Sequence, residues 1–141
     1  MLTNVALEVF DNNRDRQYWV SLVGVESEYK SAAKSKTGAI GLGQLIVSYR
    51  NDFAKACGWG KADKSDLKDD YTNLMLSACY FRQMLRLTGG SVPLALLSYN
   101  QGPNSESLKR AFRIQAPNHE GAGHITKVLI HQERTQKELS K

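Results

Sequence analysis

Residues 25–45 read VESEYKSAAKSKTGAIGLGQL, and this stretch decides the fold. An apolar helical run ends in a glutamate, Glu26, and residues that are mostly polar, small or glycine follow. The helix is legible upstream, where Trp19, Leu22, Val23 and Glu26 recur at three- and four-residue steps over residues 15–27. Gly38, Gly41 and Gly43 then mark residues 28–42 as a tight loop able to approach a neighbour closely. An ionisable carboxyl on the apolar face of a helix, beside such a loop, is the feature to explain.

Outward from it, helical periodicity dominates. Residues 2–11 form a short amphipathic segment through Leu2, Val5, Val9 and Phe10. A helix is expected over 43–57, ended near Gly58, and the charged stretch 61–70 reads as a connection. The longest clean helix spans about 71–87, with Leu74, Ala78, Phe81 and Leu85 on its apolar face and Gly89-Gly90 as its stop. Pro93 falls in the first turn of the next helix, where its missing donor costs nothing. Gly102-Pro103 breaks the chain again, and further helices are expected over about 105–112 and 123–139. No alternating strand pattern of useful length occurs, so the class is all-α, with 1–141 taken as a single domain.

The 141 residues are 41% hydrophobic and 23% charged, an ordinary globular composition. No apolar run approaches the roughly 18 to 20 residues that span a bilayer. The amino terminus lacks the pattern of a secretory signal, so the chain is expected either to work where it is made or to be delivered by other means. A net charge of +5 favours polyanionic partners. The excess is concentrated in residues 109–141, which carry seven Lys or Arg against three Glu. Cys57 and Cys79 show no metal-ligand spacing, and His119, His124 and His131 supply no convincing partners, so no metal site is expected. The cysteines read as small buried side chains, a disulfide remaining open.

Glu26 invites a chemical reading. Burial disfavours the charged carboxylate, and a position in the last helical turn pushes the same way. A glutamate that keeps its proton near neutral pH is what a general acid requires. Ser27 and Ser35 are hydroxyl donors able to orient it, and Gln44 offers both a donor and an acceptor suited to sugar hydroxyls or an acetamido group. Farther on, SYNQG (98–102) ends an apolar helix with Tyr99 and Asn100 beside a glycine turn.

The order Glu26-Ser27, Ser35, Gly38-Ala39-x-Gly41-Leu42-x-Gln44, then Ala95 through Tyr99-Asn100-x-Gly102, resembles the lytic transglycosylases with a goose-type-lysozyme-like fold. Asn73-Leu74, Ser77 and Tyr80-Phe81 are similar to that family's helix N-I-x-x-G-x-x-Y-L. Glu120 followed by His124-Ile125-x-Lys127-Val128 resembles its E-x-x-x-Y-V-x-K-V. The resemblance covers about residues 15–130. It implies cleavage of the β-1,4 bond between N-acetylmuramic acid and N-acetylglucosamine in peptidoglycan, with a 1,6-anhydro product and no cofactor. One glutamate, here Glu26, serves as acid and then base, helped by the substrate's own N-acetyl group. Ser35, Gln44, Tyr99, Asn100 and Glu120 are implied to line the saccharide site, with Ser27, Gly41 and His124 supporting it. Tyr29 is implied to anchor the loop.

The sequence departs from the pattern at Gly43, where methionine is usual, at Ser31, where proline is common, and at His124, where the family has tyrosine. The AKSKTG loop and the YNQG variant resemble domains of phage virion and ejection proteins, with a conjugation or secretion assembly as the close alternative. Two rival functions are a goose-type-like lysozyme that uses water, and a basic helical module that binds wall polymer or nucleic acid without cutting. Glycan strands are the expected partner, and nucleic acid is not, since no stacked-base pattern of aromatic and basic residues occurs.

Overall fold

The structure, a computed structural model, describes residues 1–101. Six α-helices appear among them: α1 (Leu2–Val9), α2 (Asn13–Ser27), α3 (Arg50–Ala56), α4 (Lys64–Lys68), α5 (Asp70–Leu87) and α6 (Val92–Gln101). Two short strands, β1 (Ala39–Ile40) and β2 (Leu45–Ile46), pair antiparallel, Ala39 opposite Ile46 and Ile40 opposite Leu45. The chain divides into two compact units, residues 1–80 and 81–141. The helices expected beyond residue 101 lie outside the described residues.

In the first unit, α2 starts on a well-formed cap. The Asn12 side chain accepts the Asp15 N–H at 2.9 Å, satisfying one of the donors that a helix start leaves over. Trp19, Leu22 and Val23 on its apolar face are fully buried, with Val5, Val9 and Phe10 of the α1 segment also in the core. The Phe10 and Trp19 rings lie 5.9 Å apart. Burial on α5 is continuous from Asn73 to Tyr80, so this stretch is enclosed on every side.

Two local expectations need correction. Residues 43–46 are not helical: Gln44 has φ 51°, and β2 with a 3-10 turn over Val47–Tyr49 precedes α3. The connection 61–70 contains α4, whose start is closed by the Asp66 carboxylate accepting the Asp63 N–H at 2.7 Å. A polar helix of five residues leaves no apolar period to read; its signal was the acidic pair three residues apart.

Cys57 and Cys79 are joined in a disulfide, with Cα atoms 5.2 Å apart. It ties the end of α3 to α5 across a separation of 22 residues, so the two are a covalent staple rather than merely small core side chains. Beside it, Phe53 and Tyr80 stack edge to face at 4.8 Å.

In the second unit, Phe81, Met84 and Leu85 at the end of α5 are buried, as are Val92, Ala95, Leu96 and Leu97. The turn between the helices is closed by the Gly90 N–H donating to Leu85 O at 2.7 Å and by Thr88 Oγ1 donating to Met84 O at 2.8 Å.

Candidate active site

Glu26 sits in the last turn of α2, one residue before its end. Its residue is half-buried, on the helix face that holds Trp19, Leu22 and Val23 in the core. Loss of water around the carboxyl raises its pKa from 4.5 to about 7, so a substantial share of molecules keep the proton at neutral pH. Tyr80 is shifted too, pushed up to about 12 chiefly by burial, with the nearby Asp52 and Tyr49 adding to it; it stays a neutral phenol.

The chain leaves α2 through two consecutive left-handed residues, Glu28 (φ 53°) and Tyr29 (φ 61°). Glu28 closes the helix by donating its N–H to Gly24 O at 2.8 Å. The Tyr29 hydroxyl donates to Val20 O at 3.1 Å, tying the start of the loop back to α2. Gln44, at the far end of the loop, is the third residue other than glycine with positive φ among those described. Such conformations persist only where surrounding contacts impose them, and here they bracket the segment after Glu26.

The loop is braced from within. Gly41 N–H donates to Ala33 O at 3.0 Å, and Ser35 N–H to Ala39 O at 3.1 Å. Gln44 Nε2 donates to Ala33 O and Gly41 O at 3.0 and 2.9 Å, leaving its Oε1 acceptor outside both bonds. Two hydroxyls make local bonds. Ser27 Oγ donates to Val23 O at 3.0 Å, back onto its own helix, so its proton is not directed at Glu26. Ser35 Oγ accepts the Ala39 N–H at 3.0 Å and shares a hydrogen with Thr37 Oγ1, holding the loop's own turn.

The glycines answer to α5. A Cβ on Gly41 (φ +76°) would stand 2.5 Å from Asn73 Nδ2, and one on Gly43 would stand 2.6 Å from Ser77 Cβ. The absent side chain at position 43 therefore makes room for Ser77. Asn73 is buried and clamps the loop: its Oδ1 accepts the Gly43 N–H at 2.7 Å, and its Nδ2 donates to Ile40 O and Leu67 O at 2.9 and 2.8 Å. Sequence reading assigned Asn73 only a place in a motif. The signal that could have found it is a polar pair, Asn73 and Ser77, one turn apart in an otherwise apolar helix centre.

Glu26, Ser27, Ser35, Gly41 and Gln44 thus fall within the first unit, on α2 and the loop that follows it. Tyr99 and Asn100 belong to α6 of the second: Tyr99 is half-buried, its ring 6.4 Å from that of Phe81 and nearly perpendicular to it, and Asn100 is exposed. Glu120 and His124 lie outside the described residues. Among the described residues no group of three or more His, Cys, Asp or Glu is placed to hold a metal ion, and no helix is long and apolar enough to cross a membrane.

The family model for the transglycosylase SLT domain matches residues 10–118, most of the chain. The chain belongs to this family. Two solved structures carry the same fold. One is an inactive mutant of the lytic transglycosylase Slt from Pseudomonas aeruginosa, with a TM-score of 0.76 and 22% identity over 99% of this chain. Another is the 70 kDa soluble lytic transglycosylase of Escherichia coli, at 0.74 and 22% over 92%. This SLT domain spans 24% and 23% of the length of those chains. The helical class read from the sequence is therefore the lysozyme-like fold of SLT domains.

Proposed function

We propose that this SLT domain cleaves the β-1,4 bond between N-acetylmuramic acid and N-acetylglucosamine in peptidoglycan, as a lytic transglycosylase with Glu26 as its single acid and base. The observation that carries the reading is the placement of Glu26: an enclosed carboxyl with a pKa near 7, one residue before the end of a core helix and followed by a doubly braced loop.

In the first step the Glu26 proton passes to the glycosidic oxygen as the bond from that oxygen to C1 of the muramic acid breaks. The neighbouring N-acetyl oxygen stabilises the positive charge left at C1, so no second carboxylate is required. In the second step the Glu26 carboxylate takes the proton of the 6-hydroxyl while O6 bonds to C1, closing the 1,6-anhydro ring. The acid is then restored to its starting form. A pKa near 7 suits both halves, since the group must give a proton and then reclaim one. The loop 28–44, with the Gln44 carboxamide at its end, is the wall against which the sugar lies.

The disulfide supports action in an oxidising compartment, which the periplasm provides. Local opening of the wall by a particle or apparatus that carries the domain, a phage virion first among them, is the setting proposed. Digestion of purified sacculi by wild type and by Glu26→Gln, with the muropeptides weighed, tests the chemistry. Anhydro ends, lighter than hydrolysed ones by one water, are expected from wild type and no release from the variant. Hydrolysed ends would assign a lysozyme instead, and release by the variant would dismiss Glu26.

A further inference from the structure

Asn73 and Ser77 lie one turn apart on α5, 1% and 0% exposed, inside a stretch where every residue from 73 to 81 is buried. Their polar atoms face two directions. Toward the loop, Asn73 takes the Gly43 N–H and donates to Ile40 O, on the strand that enters the glycine turn. Toward α2, Ser77 Oγ accepts the Trp19 Nε1–H at 3.0 Å, two helical turns before Glu26 on the same face. Ser77 also fills the space that a side chain at position 43 would need.

We propose that Asn73 and Ser77 are positioning residues that set the placement of Glu26 relative to the loop 40–44, acting through Trp19 and Gly43. The inference rests on reading Glu26 as the acid and that loop as the sugar's wall. An apolar α5 would fill the same volume without needing hydrogen-bond partners, but it would lack the Asn73 Oδ1 acceptor that ties the Gly43 N–H to the helix. The directional bonds give register, and register is what acid catalysis needs. A misplacement of about 1 Å costs on the order of 100-fold in rate. Gly43 and Ser77 form a matched pair of sizes, since a Cβ at position 43 would stand 2.6 Å from Ser77 Cβ.

The test uses soluble glycan strands, with kcat, KM and the melting temperature measured for each variant well below its melting point. Asn73→Ala and Gly43→Ala are each expected to lower kcat/KM by about 100-fold. The pH midpoint near 7 should stay in place, because burial of Glu26 sets it. Ser77→Ala keeps the helix and removes the acceptor of the Trp19 indole, and it is expected to lower kcat/KM by at least about tenfold. Melting temperatures that fall while kcat/KM holds would reduce the two residues to packing and overturn the proposal. Should wild type itself leave the strands uncut, the enzymatic reading falls alone, and positioning is judged by strand binding in the Glu26→Gln background. There Asn73→Ala must weaken the Kd about tenfold, a loss of about 1.4 kcal/mol. Unchanged binding would overturn it.

Discussion

The indole of Trp19 donates to Ser77 Oγ at 3.0 Å, a polar bond between two residues with no measurable exposure. It fixes the centre of α2 against α5, and Glu26 extends from the same helix face seven residues on. Trp19→Phe keeps most of the ring volume and removes the donor. The buried hydroxyl then loses a partner, at a cost of about 1–2 kcal/mol. Urea unfolding should show the loss as a lower midpoint with an unchanged slope, and a midpoint equal to wild type would mean that the bond adds nothing net.

Gly41 carries two demands at once, a left-handed backbone and a Cβ position 2.5 Å from Asn73 Nδ2. Gly38 carries only the first, since nothing lies within 4 Å of its would-be Cβ. Gly41→Ala should therefore cost about 2–4 kcal/mol, the left-handed penalty plus crowding, and Gly38→Ala about 1–2. Chemical denaturation of both variants checks the ordering. Equal losses would show that the Asn73 clamp yields without resistance.

What the sequence disclosed depended on the range of the interaction behind each feature. Trp19, Leu22 and Val23 announced α2 because burial repeats along one helix face, and the same holds for α5 through Leu74, Ala78, Phe81 and Leu85. Glu26 stood out because an ionisable group interrupted that repeat. By contrast, β1 and β2 are two residues each, too short for alternation to register. Residues 43–46 looked helical by composition, but the Asn73 clamp on Gly43 and the left-handed Gln44 impose a turn there. The local partners of the Ser27 and Ser35 hydroxyls were not legible for a related reason. A serine finds the nearest backbone group first, at i−4 for Ser27 and i+4 for Ser35, before any distant carboxyl. The Cys57–Cys79 bond and the fit of Gly43 to Ser77 are contacts between distant segments, which one sequence alone does not encode in any periodicity.

The disulfide closes a loop of 22 residues by sequence separation, which restricts the unfolded chain by about 3 kcal/mol in the chain-entropy model. Reduction, or the double change Cys57→Ser with Cys79→Ser, should lower the melting temperature by roughly 10 °C in a domain of this size. Thermal melts with and without reductant read this directly. Glu26 and the loop 28–44 lie on other segments, and the helical hydrogen bonds of α5 do not depend on the bridge, so cleavage well below the melting point should survive reduction. An unchanged melt would mean that the staple adds no stability.

Glu26 should make stability fall as pH rises, opposite to the usual behaviour of a paired carboxylate. Below about pH 4.5 the group is protonated both folded and unfolded, and it contributes nothing. Between 4.5 and about 7 the unfolded chain releases the proton while the folded one holds it, so the unfolded state binds fewer protons and gains with each step in pH. At about 1.4 kcal/mol per pH unit the penalty grows to about 3 kcal/mol and levels off above 7. Glu26→Gln cannot ionise and escapes it. The variant should match wild type near pH 4 and exceed it in unfolding free energy above pH 7, while losing cleavage at every pH. Wild-type cleavage should itself decline as pH rises through 7, when the proton needed for the leaving oxygen is gone. Urea titrations of both proteins from pH 4 to 9 decide the matter: parallel curves would mean that the carboxyl is hydrated in the folded state, and a hydrated carboxyl could not hold its proton for the glycan.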